Sequence, residues 1–264
     1  MNRKIVIPSL VDRLNDKYES YIWFQNHCKS LLNNGITVEY YVQGDFENLT
    51  TSKRQEIKYI YAPLAGSAKK ARQNYLKDYI DESSYLFIDD DVTPYSVDCL
   101  ITLFDDAEDK QALIGGVLFD NKEKSVVYYF FRYLLSLFIQ LGKFRDIRIK
   151  SLLLFKIKNQ QLVSSDRVWG GMFCCNNHIA KLYALGAEYD QIEAPNYDIR
   201  FSILLKSLGI DTFIDTGVGC IHQHVSYKPL ALKDKIAHHN SLKWYYGKFQ
   251  FYWSTYIYRI LNLK

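Results

Sequence analysis

The chain has no Cys-x-x-Cys pair. Its five cysteines, Cys28, Cys99, Cys174, Cys175 and Cys220, are odd in number, and two of them are adjacent. Neighbouring cysteines do not readily bridge to each other, so neither a disulfide framework nor a zinc ribbon is expected, and reduced thiols fit best. A signal-peptide core is also missing: Met1-Asn2-Arg3-Lys4 leads straight into Ile5-Val6-Ile7-Pro8. The expected location is therefore cytoplasmic. No apolar run approaches the ~20 residues that cross a bilayer. Net charge is only +4, from 33 Lys and Arg against 29 Asp and Glu, and the basic residues are spread out, so nucleic acid is not an expected partner. No repeat or long linker interrupts the 264 residues, a length that suits one substantial α/β domain.

Aromatic residues are abundant instead, with 22 Tyr, 15 Phe and 4 Trp. Side chains with an apolar body and a polar tip suit half-buried surfaces, including sugar platforms and membrane interfaces. Segment 3–7 reads as a buried strand stopped by Pro8. Helical spacing follows over 16–34 and ends at Asn33-Asn34-Gly35, a C-cap signal. Strands are expected at Thr37–Val42, Ile57–Tyr61 and Tyr85–Ile88, with a helix over 67–79 before the last. Strand and helix alternate through the first half, which predicts an open parallel sheet covered by helices, with ligands beyond the carboxyl ends of its strands.

Asp89-Asp90-Asp91 stands at such an end. Three adjacent carboxylates after an apolar strand raise one another's proton affinity unless a cation relieves them. A divalent ion takes hard carboxylate oxygens, and Asp89 and Asp91, two apart, can face one site. A helix cap is the plainer alternative: Asp91, Thr93 or Ser96 could cap a helix over 94–107, though a cap accounts for one acid and not three.

The run from Ala71-Arg72 through Tyr85-Leu86-Phe87-Ile88-Asp89-Asp90-Asp91-Val92 resembles the core of the family 2 glycosyltransferases. Similar pieces follow in order at Trp169-Gly170-Gly171-Met172-Phe173, Asp198-Ile199-Arg200 and Cys220-Ile221-His222, so the likeness covers about residues 3–224. The resemblance implies a GT-A architecture, a Rossmann-like, mostly parallel sheet flanked by helices, over residues 1–225. A helical, aromatic and basic extension would occupy 226–264.

The resemblance also implies a site. Asp91, Asp89 and His222 would hold a divalent metal, Mn2+ or Mg2+, against the diphosphate of a nucleotide-sugar, with a UDP-sugar favoured. His224 is the rival to His222. Pro8, Ser9, Asp45 (or Gln43), Arg72, Asp89, Asp90, Gly170 and Gly171 would contact the donor, and Trp169 would be a sugar platform. Lys69 and Lys70 could face phosphate but read more simply as surface lysines. Asp198 would be the general base of an inverting transfer, with Glu193 and Asp190 as alternatives. The family's pattern has an acidic pair there, and Tyr197 stands in place of the first acid. The turn after the second strand likewise departs from the family's Asp-x-x-Ser.

The acceptor implied is a glycan or lipid-linked glycan. Residues 126–141 are almost wholly apolar with a thin polar stripe, basic residues follow at 143–158, and Trp244–Leu261 repeats the pattern. Both stretches read either as helices packed on the domain or as surfaces resting on an anionic membrane, which would make the protein peripheral on the inner face of the plasma membrane.

Two rival readings use the same residues. Ile88-Asp89-x-Asp91-x-Thr93 spells the first motif of haloacid-dehalogenase-like phosphatases, but that motif belongs after a first strand, and here about three strands precede it. A catalytically inactive, membrane-peripheral binding module of the same fold would explain Tyr197.

Overall fold

The computed structural model describes residues 2–16, 18–120, 124–139, 143–165, 167–189 and 197–223. The C-terminal stretch from residue 224, with His224 and the expected 244–261 helix, lies outside them, as do Asp190 and Glu193.

The first half builds as the alternation predicts. Strands β1 (Arg3–Leu10), β2 (Ile36–Gln43), β3 (Ile57–Ala62) and β4 (Ser84–Ile88) pair in parallel, with β1 between β2 and β4. Between them run α1 (Val11–Asn15), α2 (Glu19–Asn33) and α3 (Ala68–Tyr79). Helix α2 ends at Gly35, whose φ of 71° lies in the left-handed region that glycine occupies without a Cβ clash. Ser67 caps α3, its hydroxyl accepting from Lys70 N–H at 3.2 Å.

Pro8 does not stop β1, which runs on to Leu10. The strand continues there beside β2, with Pro8 opposite Tyr41, while β4 pairs only with residues 3–6.

The second half adds β5 (Val92–Pro94), α4 (Val97–Lys110), β6 (Leu113–Asp120), α5 (Val126–Ile139), α6 (Lys143–Lys156), β7 (Leu162–Ser164), β8 (Met172–Cys175), α7 (Asn177–Tyr189), α8 (Tyr197–Ser207) and β9 (Thr212–His222). Among the described residues the sheet runs β3-β2-β1-β4-β8-β6-β9-β5, with β7 also on β9. β8 is antiparallel to both β4 and β6, while β6 and β9 are parallel. The expected parallel sheet thus holds for four strands and becomes mixed beyond them. The helix expected over 94–107 starts at Val97, because Ser96 takes the cap and accepts from Cys99 N–H at 3.2 Å; Pro94 belongs to β5.

Both faces of the sheet are covered. Ile5 and Ile7 point to a core shared with α2 and α4, through Phe24, Leu31, Leu103 and Phe104. Val6, on the opposite face, joins Ala71, Tyr75 and Leu76 of α3, Tyr183 of α7 and Phe201 of α8. This period-two division is what a strand buried on both faces requires, and it leaves the strand ends as the place for polar chemistry.

Candidate functional site

β4 delivers the three aspartates to the carboxyl edge, where the chain turns sharply. Val92 N–H donates to the Asp89 carbonyl at 3.0 Å, and Asp89 N–H donates to the Gly171 carbonyl at 2.9 Å. β5 then pairs antiparallel with the end of β9, setting Val92 opposite His222. Gln223 N–H closes the corner on the Asp91 carbonyl at 2.7 Å. The end of β9 is thereby fixed against the acidic turn.

The three carboxylates have separate partners. Asp89 is paired with the guanidinium of Arg72, a buried side chain of α3 that also lies 5.4 Å above the Phe173 ring. Asp90 points inward: Ser9 Oγ donates to its Oδ2 at 2.8 Å, Arg13 pairs with its Oδ1, and the Ser20 hydroxyl bonds its backbone carbonyl. Asp91 Oδ1 lies 3.3 Å from Nε2 of His222.

Burial raises the pKa of Asp89; Arg72 opposes the rise and Asp91 adds to it. Burial likewise pushes Asp90 up to about 6, against the pull of Arg13 and Ser9. Asp89 keeps 26% of its side-chain surface open, so it is reachable from outside despite its ion pair.

Gly171 borders the same place. A Cβ there would lie 3.6 Å from Asp89 Oδ2 and 3.2 Å from Leu118, so a side chain at this position would extend over the carboxylate. Gly170 is partly buried beside it, and Pro8 is buried at the end of β1 next to Ser9.

Several expected residues lie elsewhere or are otherwise engaged. Trp169 is 9% exposed and packs into the larger core, so it offers no open platform. Asp45 is exposed at the end of β2 and caps the following turn, accepting from Glu47 N–H at 3.2 Å and Asn48 Nδ2 at 3.1 Å. Gln43 is buried, its Oε1 accepting from Ala65 N–H at 3.0 Å. Lys69 is half-buried and Lys70 exposed on α3. Asp198 lies in the first turn of α8; its side chain is outside the described set. Arg13 and Ser20 were not foreseen. The signal available was a cationic residue within one turn of the carboxyl end of β1, the same edge that carries the acids.

The metal expectation can be tested on this geometry. Asp91 and His222 form one two-residue edge, and Asp89 is held by Arg72. Among the described residues no group of three or more His, Cys, Asp or Glu converges to hold an ion. An ion placed between Asp91 and His222 would need further donors from outside this pair.

No family model and no curated protein matches the chain. Among solved structures, GalNAc-T7 with UDP, GalNAc and Mn2+ superposes with a TM-score of 0.53 at 10% identity. The match takes in 85% of this chain and 44% of that one. The fold is GT-A-like. A197 from STIV also aligns, over 84% of this chain and 85% of its own, at 12% identity and a TM-score of 0.39. Within the GT-A-like frame the acidic turn after β4 and the end of β9 meet at the sheet's carboxyl edge, where ligands of open α/β sheets are bound.

Proposed function

We propose that the chain is a metal-dependent glycosyltransferase, of the family 2 type its motifs resemble, that takes a sugar from a nucleotide-diphosphate donor, with UDP favoured. The observation that carries this reading is the meeting of Asp91 with His222 at 3.3 Å beside the Arg72-held Asp89, at the carboxyl edge of a GT-A-like sheet. The fold neighbour's structure contains UDP, GalNAc and Mn2+, which supports the same ligand classes here.

Asp91 and His222 would hold the ion, and the diphosphate would complete its shell. Bound there, Mn2+ or Mg2+ would act as a Lewis acid on the leaving diphosphate. Arg72 holds Asp89, which would face the donor, and offsets the repulsion between Asp89 and Asp91. Asp90, saturated by Ser9 and Arg13, serves as the anchor of the turn, and Ser9 and Pro8 form the floor on which the nucleotide would lie. Without side chains, Gly170-Gly171 would let the donor sugar approach the backbone beside Asp89. Asp198, at the start of α8, is the proposed base that removes the acceptor hydroxyl proton during an inverting displacement.

The acceptor proposed is a glycan or lipid-linked glycan on an anionic membrane, with the protein cytoplasmic and peripheral. No described helix is long and apolar enough to cross a bilayer. Helix α5 nevertheless exposes Val127 at 61%, Phe130 at 47% and Phe131 at 64%, which supports an interfacial role for this helix. Residues 1–225 would be the transferase domain and 226–264 its extension.

Calorimetric titration with UDP, GDP, CDP and TDP, each with and without Mn2+, tests the proposal. One nucleotide should bind only with the metal, and Asp91→Ala should abolish that binding. Absence of nucleotide binding under every condition would refute it.

A further inference from the structure

Two arginines meet the acidic turn, and they are not alike. Arg72 has 5% of its side chain exposed and lies over the Phe173 ring, closed inside the fold. Arg13 comes from α1, on the other face of the sheet, and 35% of its side chain is open, while its partner Asp90 keeps only 9%. Arg13 Nη1 pairs with Asp90 Oδ1, and Asp90 Oδ2 is taken by Ser9. The contact is one-pronged. A guanidinium carries five N–H donors, and among the described residues Arg13 makes no hydrogen bond besides this one. Burial opposes the charge of Arg13, and Asp90 and then Asp91 favour it, so the cation is within electrostatic reach of both carboxylates.

The helix that carries Arg13 is pinned at the carboxyl edge. It starts directly after Leu10, the last residue of β1. Val11 and Leu14, on either side of Arg13 in sequence, are 4% and 1% exposed and belong to the core that includes Phe24. Asn15 ties α1 to the segment after β2, its Nδ2 donating to the Asn48 carbonyl at 2.7 Å and its Oδ1 accepting from Thr50 N–H at 2.9 Å.

We propose that Arg13 is a further donor-binding residue, its remaining N–H groups taking oxygens of the nucleotide diphosphate while Nη1 stays on Asp90. The inference deepens the transferase reading and rests on it. A planar fork with donors to spare meets phosphate oxygens in pairs, which a lysine ammonium, a point charge, does not. The diphosphate arrives at a turn that already holds three carboxylates, and one divalent ion beside Asp91 leaves phosphate charge facing Asp90. Arg13 offsets that repulsion, and Asp90 fixes the direction of its guanidinium. Neutralising Asp90 alone would need one N–H and one positive charge, which lysine also supplies. The spare donors and the open surface are what set arginine apart here.

Calorimetry with Mn2+ tests this on the nucleotide that the native chain binds, from UDP, GDP, CDP and TDP, and on its nucleoside. Arg13→Lys keeps a cation beside Asp90 and should melt as the native chain does. It should bind the diphosphate about tenfold more weakly, the loss of one charge-assisted hydrogen bond, with nucleoside affinity unchanged. Arg13→Met should weaken the diphosphate further and again spare the nucleoside. Unchanged diphosphate affinity in both variants would overturn the inference and leave the transferase reading standing. Equal losses for diphosphate and nucleoside, or loss of a cooperative melt in Arg13→Lys, would also overturn it, because either marks a role confined to holding Asp90. Absence of nucleotide binding by the native chain would refute the transferase reading and this inference together.

Discussion

Arg72→Met offers the sharpest test of how the acidic turn is held. The guanidinium is buried, pairs with Asp89 and lies over the Phe173 ring. Methionine keeps the length and apolar bulk of the side chain and removes only its charge and donors. Asp89 then faces Asp91 with no cation between α3 and the turn. Removing one member of a buried ion pair costs about 3–5 kcal/mol, because the other charge stays buried and uncompensated. A quarter of the Asp89 side chain is open to solvent, which lowers the expectation to about 2–4 kcal/mol. At about 2–4 °C per kcal/mol for a domain of this size, the melting temperature should fall by about 5–15 °C. Urea unfolding gives the free energy directly, with the slope m unchanged. Adding Asp89→Asn should recover at least half of the loss, since no charge is left stranded. Millimolar Mn2+ should raise the melting temperature of Arg72→Met more than that of the native chain, because the freed Asp89 can join Asp91 and His222 around the ion. A loss below about 1 kcal/mol, or no recovery in the double variant, would refute the account of Arg72 as the charge that makes this turn tolerable.

Gly219→Ala should destabilise by about 1–3 kcal/mol in urea, because its Cβ would lie 2.5 Å from two Phe155 ring atoms and 2.7 Å from Tyr95; an unchanged midpoint would show that those rings move freely. Asp215→Asn should stabilise the fold at pH 8. Burial, and then the facing Asp106, raise the carboxyl's pKa, so its charged form costs stability that is absent below the unfolded-state pKa near 4 and grows as pH rises through the folded value. The advantage, about 1–3 kcal/mol at pH 8, should shrink at pH 5 in melts across that range, with Asp105, Asp109 and Lys110 as the other charges acting on Asp106; a pH-independent gap would contradict this. Replacing Phe130 and Phe131 together by Ser should lower binding to anionic vesicles at least tenfold without changing the melting temperature, and equal binding would remove α5 from the membrane surface.

The first four strands were legible because each is a short apolar run closed by its own turn or helix signal, and because parallel neighbours in sequence order are the default of an alternating chain. The ends were less so. Pro8 reads locally as a stop, yet β1 continues along β2 to Leu10, past the end of its pairing with β4. The place of β8 could not be read at all: Met172–Cys175 enters antiparallel between β4 and β6, and nothing in four apolar residues states direction or neighbours separated by dozens of positions. Asp89 and Asp91 were legible as acids at a strand end, and His222 as a histidine after an apolar strand. Their meeting depends on the three-residue β5 pairing with β9, too short a segment to carry a periodic signal. The buried Asp215 carried a usable clue, an acid at an inward position of the run Thr212-Phe213-Ile214-Asp215-Thr216, but its counterpart Asp106 is revealed only by the packing of α4 on β9.

The three consecutive aspartates turn out to be unlike one another, and that is the physical content of the motif. Residues 89–92 form a tight turn, closed by Val92 N–H on the Asp89 carbonyl, and the turn sends the middle acid to partners of its own. The protein meets the cost of burying Asp90 with a hydroxyl from β1 and a guanidinium from α1. Those bonds tie the turn to the end of β1, while Gln223 N–H on the Asp91 carbonyl ties it to the end of β9. The outer two acids are thereby held at a fixed separation before any ligand arrives, one balanced by Arg72 and the other beside His222. On the proposed reading, a cation entering there would meet carboxylates already in place. The reorganisation that would otherwise oppose its binding would have been completed by folding, through side chains that need not touch it.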